Sequence, residues 1–128
     1  MLELTADQLH EAIEHLYEAL SILQSVLKEI GSGAIGGLNI SEDLGKAWFE
    51  VNCCRLYTRT DVNLEELNLE AMGLINDAKC MLDSLMVWEK GLTSHGRLFI
   101  NQSIVSAAGN LKIALEELEN LLYHKKTA

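Results

Sequence analysis

Leu9, Ile13, Leu16, Leu20, Leu23, Leu27 and Ile30 follow one another at steps of four and three without a break. A strand would need alternation, so this seam demands a helix of about three heptads with one apolar side. Ala12, Ala19, Ile22 and Val26 widen the stripe to the breadth that a bundle helix presents to its neighbours. Thr5 and Gln8 stand at capping-box spacing just before it, and Gly31 follows it, so the predicted helix spans about 6–30.

The rest of the chain repeats the theme. A Gly-rich connection, 31–40, separates the first helix from a second over about 41–58. Ser41 is its expected cap, and Leu44, Ala47, Trp48, Val51, Cys54 and Leu56 its expected apolar face. Asn63 and Glu66 open a third helix, about 63–90, whose seam reads Leu64, Leu67, Ala71, Leu74, Ala78, Met81, Leu85 and Trp88. The fourth runs over about 95–123 along Ile104, Ala108, Leu111, Leu115, Leu118 and Leu122. The 128 residues contain no proline, whereas average usage of about 5% would give about six. That absence suits long helices on short connections. The expected fold is all-α, one domain spanning 1–128, an up-down-up-down four-helix bundle with heptad seams that could also serve dimerisation.

Charge narrows the function classes. Ten Lys and Arg stand against 19 Asp and Glu, a net charge of −9. Nucleic-acid binding needs a basic face to displace counterions, and anionic membranes attract basic segments, so neither is expected as a partner. Met1-Leu2-Glu3 has no basic or apolar leader character, and no apolar run approaches a membrane span. The expectation is a cytoplasmic protein. Cys53, Cys54 and Cys80 form no Cys-x-x-Cys pair, so reduced, mostly buried thiols are expected.

Chemistry is scarce. Glu-x-x-His, the inward-facing metal motif of bundles, does not occur, and Asp7-x-x-His10 lies toward the polar side. Neither metal nor cofactor is expected. The Gly-rich stretch 31–40 lacks the Gly-Lys-Ser/Thr ending of a phosphate loop and carries no positive charge. Histidine phosphotransfer domains are bundles of this size in which Lys-Gly closely follows the exposed His. His15-Leu16-Tyr17-Glu18 and His95-Gly96-Arg97-Leu98 do not reproduce that pattern, which leaves such a role as an alternative.

Two surfaces stand out instead. Glu3, Asp7, Glu11, Glu14 and Glu18 fall within roughly 40° either side of one line on the first helix, opposite its seam. No Lys or Arg occurs before Lys28 to neutralise them. Like charges at this spacing repel by a few tenths of a kcal/mol per pair, which a solvated face tolerates and a basic partner would relieve. On the fourth helix, Asn101, Gln102 and Ser106 lie in a stretch where Arg97 is the only charge between Gly91 and Leu111. Such a face suits self-association or a partner contact. The expected function is a non-enzymatic acidic module that binds a protein partner with a basic surface and occludes or stabilises it. A regulator, anti-activator, chaperone or phage-type inhibitor would act in this way. Asp7, Glu11, Glu14 and Glu18 are the expected docking residues, with Asn101, Gln102 and Ser106 second. A homodimer with a structural role and no separate docking face is the other alternative.

Overall fold

Thr5 and Gln8 close the first helix as their spacing requires. The Thr5 amide donates to Gln8 Oε1 at 3.0 Å and the Gln8 amide donates to Thr5 Oγ1 at 3.1 Å. Two donors that a helix start leaves unpaired are thereby satisfied. The structure, a computed structural model, describes residues 4–32, 37–57, 64–86 and 94–127. It consists of α1 (Ala6–Ser32), α2 (Gly37–Arg55), α3 (Leu64–Met86) and α4 (Ser94–Thr127), with no strand among the described residues.

The seam of α1 is buried from Leu9 to Ile30, with Leu27 only half-buried at its edge. Each helix packs on its neighbours in sequence, α4 packs back on α1, and the diagonal pairs stay apart among the described residues. The core therefore closes within one chain as a four-helix bundle. Side-chain pairs give the relative direction of the helices. Ser41 meets Asp83 while Cys54 meets Asn68, so α2 and α3 run antiparallel. His15 meets Glu50 across α1 and α2.

Several expectations need correction. The second helix begins at Gly37 and not at residue 41, so residues 37–40 are helical. Gly37 stands at the very start of the helix, where glycine costs little, and the turn it opens carries Ile40 fully into the core. Ser41 is consequently not a cap. It is a buried helical residue whose hydroxyl donates to Asp83 Oδ1 at 2.7 Å. Trp48 and Leu56 do not belong to the core face of α2: they are 38% and 68% exposed, while Leu44, Ala47, Val51 and Cys54 are buried.

The seam of α3 keeps Leu64, Ala71 and Ala78 but is rotated by about half a residue from its expected line. Its centre runs through Leu64, Asn68, Ala71, Ile75, Ala78 and Leu82, while Leu67, Leu74 and Met81 flank the core. The polar Asn68 disguises that line. Finally, the thiols are not mostly buried, since only Cys54 is buried, Cys53 is half-buried and Cys80 is exposed. The α4 seam is as expected up to the half-buried Leu122, but the helix continues to Thr127 and takes Lys125 and Lys126 into its last turn. Basic side chains there suit the negative helix end. Leu85 and Trp88, the cap at Asn63 and the turn over 58–62 lie outside the residues whose side chains are described.

Candidate functional site on the outer faces of α1 and α4

The capping box and the buried seam fix the rotation of α1, and that rotation decides where its carboxylates go. Asp7, Glu11, Glu14 and Glu18 are all exposed on the side opposite the core. Glu3 lies outside the described residues. The four span eleven residues of helix, about 17 Å at 1.5 Å per residue.

Local partners are weak ones. Glu14 Oε1 lies 3.2 Å from His10 Nε2 one turn back, with both side chains largely in solvent. Glu11 faces Tyr57 beyond the end of α2, and its negative charge, with burial and a hydrogen bond, holds the Tyr57 phenol above its ordinary pKa. The Lys and Arg ion pairs among the described residues lie elsewhere, Arg55–Glu65 at 3.9 Å and Lys79–Asp83 at 3.0 Å. The four carboxylates thus form a ridge of like charge, and more acid borders it. Glu50 of α2 lies 2.6 Å from His15 Nδ1, and Glu119 of α4 accepts a hydrogen bond from Tyr17. That bond, ahead of burial and the charge of Glu119, raises the Tyr17 phenol above its ordinary pKa.

The face of α4 is different in kind. Gln102 and Ser106 are exposed, while Asn101 is half-buried. Between Arg97 and Lys112 no residue is charged. What the sequence reading did not single out is the bulk exposed beside them. Leu98 is 53% exposed, Val105 51% and Ile113 48%, with Phe99 at 40%. A signal was available, because none of these falls on the line from Ile104 through Leu111 to Leu118. A second exposed apolar group, Trp48, Phe49, Leu56 and Leu69, lies on α2, the turn after it and α3.

The titratable and thiol groups fall into place around this frame. His15 is half-buried between α1 and α2, and His95 is exposed in the first turn of α4. Cys54 is buried, and burial pushes its thiol up to about 12. Among the described residues, no three His, Cys, Asp or Glu side chains converge as a cation site. No helix among those residues is long and apolar enough to cross a membrane. No protein-family model, curated protein or solved structure matches the chain.

Two surfaces therefore come together on adjacent helices, an acidic one and an uncharged apolar one. In a square bundle the outer faces of neighbouring helices point about a quarter-turn apart. A partner on one leaves the other open.

Proposed function

We propose that the protein is a non-enzymatic acidic interaction module that docks a basic surface of a protein partner and occludes or stabilises it. The observation that carries this reading is the ridge of Asp7, Glu11, Glu14 and Glu18, exposed along one line of a rigid helix and set among acidic neighbours. Aligned like charges raise the local potential, speed encounter with a basic surface and disfavour acidic ones. A helix in a closed bundle also holds them in register, so little ordering entropy is lost on docking. A regulator, an anti-activator, a chaperone or a phage-type inhibitor would all use such a ridge.

The experiment is affinity capture from native lysate with the parent protein and a Glu11→Lys, Glu14→Lys, Glu18→Lys variant, the variant first shown by circular dichroism to be folded. A stoichiometric partner held by the parent and lost by the variant is the expected result. Its retention should fall steeply with added salt, because exposed charges are screened within about 8 Å at physiological ionic strength. A partner retained equally by both proteins removes the ridge from the docking role.

A further inference from the structure

Two histidines are built into the acidic surface of α1. At about 100° per residue, His10 and His15 lie roughly 70° to either side of the line through Asp7, Glu11, Glu14 and Glu18, one imidazole on each flank. His10 stands three residues from Asp7 and four from Glu14, and His15 stands four from Glu11 and three from Glu18. Those spacings bring helix side chains to about 5–6 Å, so the two rings between them neighbour all four ridge carboxylates. Both are also engaged by carboxylates of this surface. His10 Nε2 lies 3.2 Å from Glu14 Oε1, and the half-buried His15 holds its Nδ1 2.6 Å from Glu50 Oε2.

The other ionisable groups around them are of kinds that hold their charge near neutral pH. From α2, Glu50 faces His15, with Lys46 and Cys53 one turn to either side of it, and Tyr57 follows against Glu11. From α4, the other helix packed on α1, Glu119 meets Tyr17, and Lys112 and Lys126 stand two turns to either side of Glu119 on the same line. Carboxylates and lysines ordinarily keep their charge between about pH 5.5 and 7.5, while thiols and phenols stay neutral. Of the side chains here, only an imidazole ordinarily changes charge within that range.

We propose that His10 and His15 gate the ridge by pH, so that it holds a basic partner near neutral pH and releases it on acidification. This gate rests on the docking role of the ridge proposed above and adds its regulation. A neutral ring is a hydrogen-bond partner that leaves its carboxylate charged and free to attract a basic surface. A protonated ring sets a positive charge in direct contact with Glu14 or Glu50. It also lies within the screening distance of about 8 Å of the ridge carboxylates three and four residues away, so salt does not hide it. Two such charges stand against five carboxylates, Asp7, Glu11, Glu14, Glu18 and Glu50, and they repel the lysine or arginine that the ridge would receive.

The probe is a fluorescent helical peptide of lysine, arginine and alanine, free of histidine and of acidic residues, so that its own charge is constant over the range. Its binding is measured by anisotropy at about pH 7.5 and about pH 5.5. Three proteins are compared, each shown by circular dichroism to be folded at both pH values: the parent, a His10→Gln, His15→Gln variant, and the Glu11→Lys, Glu14→Lys, Glu18→Lys variant. Glutamine keeps a hydrogen-bonding amide beside each carboxylate and cannot take up a proton. His95 and His124 are present in all three, so the comparison cancels them. The parent should bind at the higher pH and about fivefold more weakly at the lower, the size of two exposed charge interactions. The glutamine variant should bind as the parent does at the higher pH and show no fall at the lower. The lysine variant should bind at neither. Parent binding no tighter than that of the lysine variant at the higher pH removes the docking role, and the gate with it. A ridge-dependent affinity that does not fall with pH, or that falls equally in the parent and the glutamine variant, leaves the dock standing and overturns the gate alone.

Discussion

Ser41 Oγ donates to Asp83 Oδ1 at 2.7 Å, and this hydrogen bond joins the first turns of α2 to the last turn of α3. Lys79 holds the other carboxylate oxygen at 3.0 Å. The Asp83 carboxyl is thereby kept below its ordinary pKa of 3.8, by the Ser41 hydroxyl first and Lys79 second. Ser41→Ala should destabilise the fold by about 1 kcal/mol, the usual net worth of such a bond. A depressed folded-state pKa contributes stability that is present above the ordinary carboxylate range and is lost as pH falls through and below it. Urea denaturation at about pH 7 and about pH 3 should therefore show a smaller difference between parent and variant at the acid pH. An equal difference at both would dissociate Ser41 from the titration of Asp83.

Asn68 carries a different kind of strain. It is fully buried, its Nδ2 donates to the Cys54 sulfur at 3.6 Å, and its Oδ1 has no hydrogen-bond partner among the described residues. An unsatisfied buried amide costs about 1–3 kcal/mol, so Asn68→Leu should raise stability by about 1 kcal/mol after allowance for imperfect packing. A rise in the thermal midpoint is the expected readout. A fall would mean that the amide is better satisfied in solution than in this arrangement.

The three thiols should separate by rate. Cys80 is exposed, Cys53 is half-buried and raised by burial and by Glu50, and Cys54 is buried with its thiol pushed to about 12. The thiolate is the reactive form. Alkylation near neutral pH, followed by peptide mass analysis, should modify Cys80 first, Cys53 next and Cys54 only on unfolding. Early labelling of Cys54 would show that α2 and α3 part readily.

Gly73 sits in mid-helix on the exposed side of α3, with open space where a Cβ would stand. Alanine there keeps the helix and removes conformational freedom from the unfolded chain, so Gly73→Ala should add about 0.5–1 kcal/mol. Chemical denaturation measures it, and a loss of stability would reveal a contact on that face. Gly109→Ala offers the same gain within α4, where a Cβ likewise meets open space.

The periodic parts of this fold were legible in sequence because they obey one rule at a time. The α1 seam and its Thr5–Gln8 box involve only local spacing, and both stand as expected. The line of α3 was misplaced because Asn68 occupies a core position that a polarity count assigns to the surface. Trp48 and Leu56 were misplaced for the converse reason, since hydrophobicity alone does not say which apolar side chains find room inside. The start of α2 escaped detection because Gly37 and Asn39 read as a loop, whereas Gly37 costs little at a helix start and burial holds Ile40 in the core. Among the surface candidates, the spacing of Asp7, Glu11, Glu14 and Glu18 put them on one face, and they are on it. Leu98, Val105 and Ile113 fall off the line of Ile104, Leu111 and Leu118, and that signal is easily overlooked in a Leu-rich chain that offers more apolar residues than one seam can use.

The ring of packed helices also orders the events of folding. Contacts between α1 and α2, α2 and α3, and α3 and α4 each close a short stretch of chain, so hairpins can zip from their turns at low entropic cost. The packing of α4 on α1 is the one closure that spans nearly the whole sequence, with Tyr17 and Glu119 among the residues it joins. It should form last and open first. Amide exchange would then find a chain that folds quickly, as low contact order favours, and whose lowest-energy opening swings α4 away from α1 while the remaining three helices stay stacked.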